Sequence, residues 1–148
     1  MKLLVTGALG HIGSRFIRSL KPGDWESIVL LDDLSTQRYG SLFNLPEGVP
    51  FRFVEGDVCT ADLERYFEGV DFVIHLAAIT DAPSTFERPE EVERVNCEGT
   101  RRVAEACGSS GSKLVFILAR CWSRRGAYSE TRLTSPRDWS SWPTPDRY

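Results

Sequence analysis

Short apolar runs alternate with amphipathic stretches over the first 118 residues of the chain. Runs that are apolar almost throughout predict strands covered on both faces, and they fall at residues 2–6, 27–31, 51–55, 71–76 and 113–118. Helical spacing of apolar side chains, bounded by proline or glycine, predicts helices from residue 12 to the Pro22 stop, over 61–67, and from Pro89 to Gly108. A polar loop with a short helix is expected before the third strand.

Strands that alternate with helices form right-handed βαβ units, and these build a parallel sheet. The predicted fold class is therefore α/β, a Rossmann-type doubly wound parallel sheet. Such sheets bind ligands beyond the carboxyl ends of their strands, at the point where the strand order reverses.

Residues 119–148 break this pattern. Leu133 is the only Ile, Leu or Val among them, whereas Trp122, Trp139 and Trp142 are three of the four tryptophans in the chain. The end is rich in Ser, Pro and Arg and has no strand or helix period. We therefore expect residues 1–118 to form one domain and residues 119–148 to be an irregular tail, explained by an altered reading frame or by truncation.

Three glycines follow the first predicted strand in the pattern Gly7-x-x-Gly10-x-x-Gly13. In a dinucleotide-binding turn the first glycine permits the sharp turn, the second lets the backbone approach a pyrophosphate, and the third brings the helix close to the sheet. The helix N-terminus then offers free N–H groups to the phosphates. The motif follows a strand and opens a helix, which is the context it requires. A purely structural glycine turn is the alternative.

Asp32 closes the second predicted strand, 19 residues after Gly13. A carboxylate at this position can accept both hydroxyls of an adenosine ribose and would repel a 2′-phosphate, and no arginine follows before Arg38. The sequence therefore favours NAD over NADP. An acid that merely caps a loop is the alternative, and Asp33 has that role as its simplest explanation.

Composition and charge exclude several classes of protein. The 148 residues are 41% hydrophobic and 26% charged, which is ordinary for one globular domain and excludes a disordered or collagen-like chain. A net charge of −3 gives no reason to expect nucleic acid, and no apolar run reaches the length of a membrane helix. With four widely spaced cysteines and two histidines, we expect no metal site and reduced thiols in a cytoplasmic protein.

Five motifs resemble, in order and spacing, those of the extended short-chain dehydrogenase/reductases, specifically the NAD-dependent, UDP-glucose 4-epimerase-like sugar-nucleotide epimerases and dehydratases. They are Thr6-Gly7-x-x-Gly10-x-Ile12-Gly13, Asp32-Asp33-Leu34-Ser35-Thr36, Gly56-Asp57-Val58, His75-Leu76-Ala77-Ala78 and Asn96-x-x-Gly99-Thr100. The resemblance covers residues 1 to about 118. It implies a tightly bound NAD that takes up hydride transiently, a nucleotide-sugar substrate and a homodimer.

The resemblance also implies a part of the cofactor for each motif. The glycine turn, with backbone N–H groups of His11 and Ile12, would meet the pyrophosphate, and Asp32 with the loop after it would hold the adenosine ribose. The motif at 56–58 would flank the adenine, and the motif at 75–78 would run beneath the middle of the cofactor. Asn96 would brace the loop that follows residue 78. The implied cofactor-binding residues are Gly7, Gly10, His11, Ile12, Gly13, Asp32, Asp33, Leu34, Ser35, Thr36, Asp57, Val58, Leu76, Ala77, Ala78 and Asn96.

Simpler explanations stay open for several of these residues. His11 and His75 are expected at backbone or packing positions rather than as general bases, and Asp57 could cap a turn. The alanines are typical of any tight strand end. The charged residues at 90, 91, 93, 94, 101 and 102 are expected to form a solvated helix face with pairs three or four positions apart.

The catalytic pattern that the resemblance implies is Tyr-x-x-x-Lys with a Ser or Thr after the fifth strand, and it is not intact here. The hydroxyl position falls on or near Ala119, and no lysine follows Lys113. Tyr148, the last residue, has a sequence context that resembles the family tyrosine. We therefore interpret the chain as the cofactor part of such an enzyme, catalytically incomplete and without its C-terminal substrate domain. A non-catalytic dinucleotide-binding module or sensor, and a degraded reading frame without stable function, are the alternatives.

Overall fold

A parallel sheet with helices on both faces forms the body of the protein. The computed structural model describes residues 1–80, 82–116, 122–123 and 126–127. The strands are β1 (Lys2–Thr6), β2 (Ser27–Asp32), β3 (Phe51–Glu55), β4 (Phe72–His75), β5 (Lys113–Phe116), β6 (Trp122–Ser123) and β7 (Gly126–Ala127). The helices are α1 (His11–Ser19), α2 (Leu63–Phe67), α3 (Ala82–Glu87), α4 (Pro89–Glu93) and α5 (Thr100–Ser110), with a 3₁₀ turn at Tyr39–Leu42 and a π-helical segment at Arg94–Gly99.

Strands β1 to β5 pair in parallel in the order β3-β2-β1-β4-β5. The chain moves outward from β1 through β2 and β3 and then crosses back to β4 on the other side of β1. The strand order therefore reverses at β1, and the crevice of a doubly wound sheet opens at the carboxyl ends of the strands at such a point. The predicted fold class is confirmed.

Within the described residues, the core consists of two hydrophobic clusters, one on each face of the sheet. Successive side chains of a strand point to opposite faces, so Leu3 and Leu4 of β1 belong to different clusters. Ile17 of α1 packs in the cluster of Leu3. Phe67 of α2 and Val103 of α5 pack in the cluster of Leu4. Covering helices on both faces explain why the strands are apolar almost throughout.

The predicted elements are present, with differences near their ends. The five strands lie where the apolar runs place them, and residues 117 and 118 of the fifth run lie outside the described residues. The helix predicted from Pro89 is a continuous succession of α4, the π-helical segment and α5. Helix α3 was not predicted, because its sequence contains proline, serine and threonine without a helical apolar period. In the tail, β6 and β7 form a short antiparallel pair. No helix in the described ranges is long and apolar enough to cross a membrane.

The oxidation state of one cysteine differs from the expected reduced thiols. Cys59 and Cys107 are free thiols, whereas Cys97, in the π-helical segment, is disulfide-bonded. The prediction of reduced thiols is therefore wrong at Cys97. Widely spaced cysteines carry no signal of pairing, because a disulfide depends on which residues the fold brings within reach.

Candidate functional site

The glycine turn between β1 and α1 is enclosed by backbone. Gly7 has a φ of +62°, and a Cβ atom there would lie 2.6 Å from the backbone nitrogen of Ala77, just beyond β4. A Cβ atom at Gly13 would lie 2.3 Å from the carbonyl oxygen of Gly7. Neither position has room for a side chain, and at Gly7 the backbone conformation also favours glycine. The turn therefore packs directly against the ends of β1 and β4.

Gly10, at the start of α1, has fewer close neighbours than Gly7 and Gly13. A Cβ atom there would meet one atom within 4 Å, the Gly7 carbonyl oxygen at 3.2 Å. Gly10 is the N-cap residue of α1, and the first turn of the helix contains no acidic side chain. The first N–H groups of any helix have no carbonyl partner within the helix, and this end has positive partial charge. The arrangement can therefore receive an anionic group.

Asp32 ends β2 beside the glycine turn. Its Oδ2 accepts a hydrogen bond from the backbone N–H of Leu9 at 2.9 Å, and its Oδ1 accepts one from Leu34 at 3.0 Å. The side chain is buried, with 7% exposure. Burial raises the pKa of Asp32 above its ordinary value, although both N–H groups act in the opposite direction. Each carboxylate oxygen can still accept a second hydrogen bond, for example from a hydroxyl group.

The loop after β2 returns to the start of α1. Leu34 has a φ of +59°, and Ser35 and Thr36 are exposed beyond it. Arg38 then places Nη1 3.0 Å from Nδ1 of His11. A guanidinium can only donate, so Nδ1 of His11 is the acceptor in this contact. His11 and Ile12 are both exposed at this end of α1.

His75, the last residue of β4, lies buried between two hydroxyl groups. Its Nδ1 is 2.6 Å from Oγ1 of Thr6, and its Nε2 is 3.0 Å from Oγ1 of Thr100. Burial lowers the pKa of His75 to about 4, so the ring is neutral near pH 7. Because both nitrogens are engaged within the protein, His75 has no free nitrogen for use as a general base in this arrangement.

The segment after β4 lies against the glycine turn and is fixed by Asn96. Leu76, Ala77 and Ala78 are half-buried. The buried side chain of Asn96 accepts a hydrogen bond from the N–H of Ile79 through Oδ1 and donates one to the carbonyl of Ile79 through Nδ2, each at 2.8 Å. The π-helical segment thereby fixes the backbone one residue beyond Ala78.

Asp57 and Val58 follow β3, and their side chains have different environments. Oδ1 of Asp57 accepts the N–H of Cys59 at 2.8 Å, and Oδ2 pairs with Arg94 at 2.9 Å. Burial acts to raise the pKa of Asp57, but the hydrogen bonds from Cys59 and Arg94 outweigh it, and the pKa is lowered. The side chain of Val58 is buried in the core, and a Cβ atom at Gly99 would lie 2.9 Å from it. Only the backbone of Val58 is left to meet a ligand.

Two arginines predicted on a solvated helix face have other partners. Arg94 reaches Asp57, and Arg102 donates to the carbonyls of Val58 and Ala61 at 2.7 and 3.0 Å. Arg101 does form the expected pairs, with glutamates three and four positions away. The predicted pairing is therefore wrong for Arg94 and Arg102, because their long side chains span from the helix to the loop after β3, although Arg94 is exposed as predicted.

The predicted catalytic positions, Ala119 and Tyr148, lie outside the described residues. No group of three histidine, cysteine, aspartate or glutamate side chains within the described ranges could hold a metal ion. The sequence also did not predict the contacts that join distant motifs, such as Thr6 with His75 and Asp57 with Arg94. Their separations of 69 and 37 residues leave no periodic signal, although both histidine partners, Thr6 and Thr100, stand inside motifs already singled out.

Comparison with known proteins assigns the family. Residues 3–138 match the NAD dependent epimerase/dehydratase family. An uncharacterized UDP-glucose epimerase of Bacillus subtilis, YtcB, is 32% identical over 146 residues, which cover 92% of this chain and 46% of that protein. The UDP-glucose 4-epimerase of Mycolicibacterium smegmatis is 36% identical over 117 residues, which cover 78% of this chain and 37% of that protein.

Solved structures agree with this assignment. A UDP-glucuronic acid 4-epimerase variant from Bacillus cereus, in complex with a fluorinated UDP-sugar and NAD, has a TM-score of 0.72 and 29% identity over 92% of this chain and 46% of its own. The dTDP-glucose 4,6-dehydratase DesIV of Streptomyces venezuelae, with NAD bound, has a TM-score of 0.64 and 30% identity over 76% of this chain and 37% of its own. The chain spans less than half the length of these relatives, and the family match extends beyond residue 118, where the recognised motifs end. The chain belongs to the NAD-dependent epimerase/dehydratase family.

Proposed function

We propose that this chain is the NAD-binding part of a sugar-nucleotide epimerase or dehydratase. The observation that carries the proposal is the contact of Asp32 with the glycine turn through the N–H of Leu9. It brings a buried carboxylate with spare acceptor capacity next to a helix N-terminus that can receive phosphate. An adenosine ribose and a pyrophosphate are adjacent groups in NAD, so the two halves of the site match one ligand.

The other residues of the site fit this arrangement. The absence of a side chain at Gly10 lets a pyrophosphate approach the first N–H groups of α1, while Gly7 and Gly13 keep the turn in place. The backbone N–H groups of His11 and Ile12 would also bind the pyrophosphate at the N-terminus of α1. The remaining proposed contacts are Asp33, Leu34, Ser35 and Thr36 around the ribose, Asp57 and the backbone of Val58 at the adenine, and Leu76, Ala77 and Ala78 beneath the middle of the cofactor, with Asn96 bracing them.

The same geometry favours NAD over NADP. Asp32 is buried beside the turn, and its oxygens are directed by two backbone N–H groups. A 2′-phosphate on the adenosine ribose would place negative charge against this carboxylate, which costs free energy at short range. A 2′-hydroxyl would instead donate a hydrogen bond to it.

NAD supplies a hydride acceptor when bound, and the described residues of this chain bind and orient it. The resemblance implies that proton transfer from a sugar hydroxyl needs Tyr-x-x-x-Lys and a Ser or Thr after the fifth strand, where this chain has Ala119. We therefore propose that residues 1–118 bind the cofactor and that Tyr148 stands at the tyrosine position, with Ala119 on or near the position of the Ser or Thr hydroxyl, so that this part of the catalytic pattern is incomplete. The alanine at the hydroxyl position also favours the second candidate function, a non-catalytic dinucleotide-binding module or sensor.

Calorimetric titration of the full chain with NAD and with NADP tests the proposal. Asp32→Asn removes the negative charge and should weaken NAD binding by about tenfold or more, because hydrogen bonds to a charged acceptor are stronger than neutral ones. Asp71→Asn is the matched control, since this exposed carboxylate accepts a backbone N–H from Lys2 at 2.7 Å, at the opposite end of the sheet. A well-folded chain that does not bind NAD would refute the proposal.

Turnover assays separate the two candidate functions from an active enzyme. The substrates tested are UDP-glucose and UDP-galactose, because the names of the relatives contain nucleotide sugars. NAD binding without turnover is expected from an incomplete enzyme and from a sensor alike, whereas turnover would refute catalytic incompleteness. Light scattering of the purified chain tests the homodimer, and fractionation of cells tests the cytoplasmic location; both stay predictions.

A further inference from the structure

The buried polar groups behind the glycine turn form one continuous chain of hydrogen bonds. It begins at the backbone N–H groups of Leu76 and Ala77, which approach Oγ1 of Thr6 at 3.3 and 3.4 Å. It continues from Thr6 through the two ring nitrogens of His75 to Oγ1 of Thr100. It ends where Thr100 bonds to the backbone carbonyl of Asn96 at 2.7 Å. No buried side-chain nitrogen or oxygen in the described part of the chain lacks a partner.

The direction of each hydrogen bond follows from counting hydrogens. A carbonyl can only accept, so the single hydroxyl hydrogen of Thr100 is donated to Asn96. Thr100 must then accept from Nε2 of His75, which places the imidazole hydrogen on Nε2 and leaves Nδ1 as an acceptor. Thr6 donates its hydroxyl hydrogen to Nδ1 and keeps its lone pairs for the backbone N–H groups. The opposite tautomer would leave the hydroxyl hydrogen of Thr6 without an acceptor among these groups.

This direction connects three elements that meet at the proposed cofactor groove. Thr6 is the last residue of β1, immediately before Gly7, and His75 is the last residue of β4, immediately before Leu76. Thr100 begins α5 directly after the π-helical segment, where Asn96 holds Ile79 with two hydrogen bonds. The backbone of residues 76–79 is therefore fixed from the β1 side through Thr6 and from the helix side through Asn96.

We propose that His75, as a neutral imidazole with its hydrogen on Nε2, is a positioning residue for the cofactor. It does not touch NAD. It joins Thr6 to Thr100 through hydrogen bonds. This link fixes the position of the backbone of residues 76–79, which form the surface beneath the middle of the cofactor, relative to the glycine turn. The proposal rests on the proposed NAD site and adds a group that acts through the backbone rather than through direct contact.

The test compares the loss of two buried hydroxyl groups in the full chain. Thr6→Val removes the donor to His75 and the acceptor for the following N–H groups while keeping the side-chain shape. Thr6→Ser restores the hydroxyl. Ser112→Ala is the matched control, because its buried hydroxyl donates to the Val70 carbonyl at 2.7 Å, near the amino end of β5 and away from the groove.

Affinity for NAD and the midpoint of urea unfolding are measured for each variant. Thr6→Val should weaken NAD binding by about tenfold, because buried groups are left unpaired beneath the cofactor. Thr6→Ser should recover affinity to within about threefold, and Ser112→Ala should lower the urea midpoint while leaving affinity within about twofold of the wild type. Thr6→Val binding like the wild type would overturn the proposal, and so would Ser112→Ala weakening NAD binding as much as Thr6→Val does.

Nitrogen-15 NMR of the wild-type ring gives a second measurement that does not depend on any variant folding. At neutral pH, Nε2 of His75 should show the shift of a protonated ring nitrogen and Nδ1 that of an unprotonated one. A hydrogen on Nδ1, or an imidazolium, would overturn the proposal. A wild-type chain that binds no NAD would overturn the proposed function and this inference with it, whereas wild-type binding that Thr6→Val leaves intact would overturn this inference alone.

Discussion

Among Gly7, Gly23 and Gly108, replacement of Gly7 by alanine should be the most damaging change. The φ of +62° costs a non-glycine residue about 1–2 kcal/mol. The added Cβ atom would also lie 2.6 Å from the Ala77 nitrogen and from the Leu76 carbonyl carbon, so β4 and β1 would have to separate at their ends. Overpacking of this kind costs about 1–3 kcal/mol. The sum, about 2–5 kcal/mol, is a large fraction of the roughly 5–15 kcal/mol that stabilises a typical domain.

Two other glycines separate the two contributions. Gly23 has a φ of +87° but nothing within 4 Å of a built Cβ atom, so Gly23→Ala should cost only the conformational part, about 1–2 kcal/mol. Gly108 lies in α5 with open space around it and no positive φ, so Gly108→Ala should stabilise the protein by about 0.5–1 kcal/mol.

Urea unfolding followed by circular dichroism measures the free energy of unfolding of each variant. The expected order of stability is Gly108→Ala, wild type, Gly23→Ala and finally Gly7→Ala. If Gly7→Ala were no more destabilising than Gly23→Ala, the close approach of the glycine turn to Ala77 would be absent in solution. The description of the turn as a direct support of the segment after β4 would then be wrong.

Two further predictions concern the loop after β2 and the buried histidine. Gln37 has a φ of +51°, so Gln37→Gly should be more stable to urea than Gln37→Ala by about 1 kcal/mol; equal stabilities would contradict the left-handed conformation. Between pH 6.5 and about 4 the folded chain binds fewer protons at His75 than the unfolded chain does, because burial lowers the pKa of His75 to about 4. Stability should therefore fall by roughly 3 kcal/mol as the pH drops through this interval. His75→Gln should show a flatter pH profile than the wild type, and an unchanged profile would show that the ring is not buried as a neutral group.

The sequence predicted those features that depend on neighbouring residues. The strands and most helices could be predicted because each follows from apolar spacing over a few positions and a proline or glycine at its end. The glycine turn was predictable for the same reason. Asp32 was predicted by its distance along the chain from Gly13, because the length of α1 and the connection to β2 are limited.

The missed features all depend on residues that meet only after folding. The contact between Arg94 and Asp57 joins a helix to a loop 37 residues earlier, and its sequence signal is indistinguishable from that of an ordinary helix-face charge. The disulfide of Cys97 likewise has no recognisable signal in the sequence. The π-helical segment changes the direction of side chains within one helix, which a constant helical period does not anticipate.

The hydrogen bonds around the proposed cofactor groove join residues of the chain to one another. Leu9 with Asp32 joins the glycine turn to β2, Thr6 with His75 joins β1 to β4, and Asn96 with Ile79 joins the helix to the segment after β4. A site that is already ordered loses little conformational entropy on binding, so more of the contact energy is available as affinity. All of these groups lie within the first hundred residues, before the region where the catalytic pattern is expected. Cofactor binding and sugar chemistry should therefore be separable in this chain, with NAD affinity retained whether or not a nucleotide sugar can be converted.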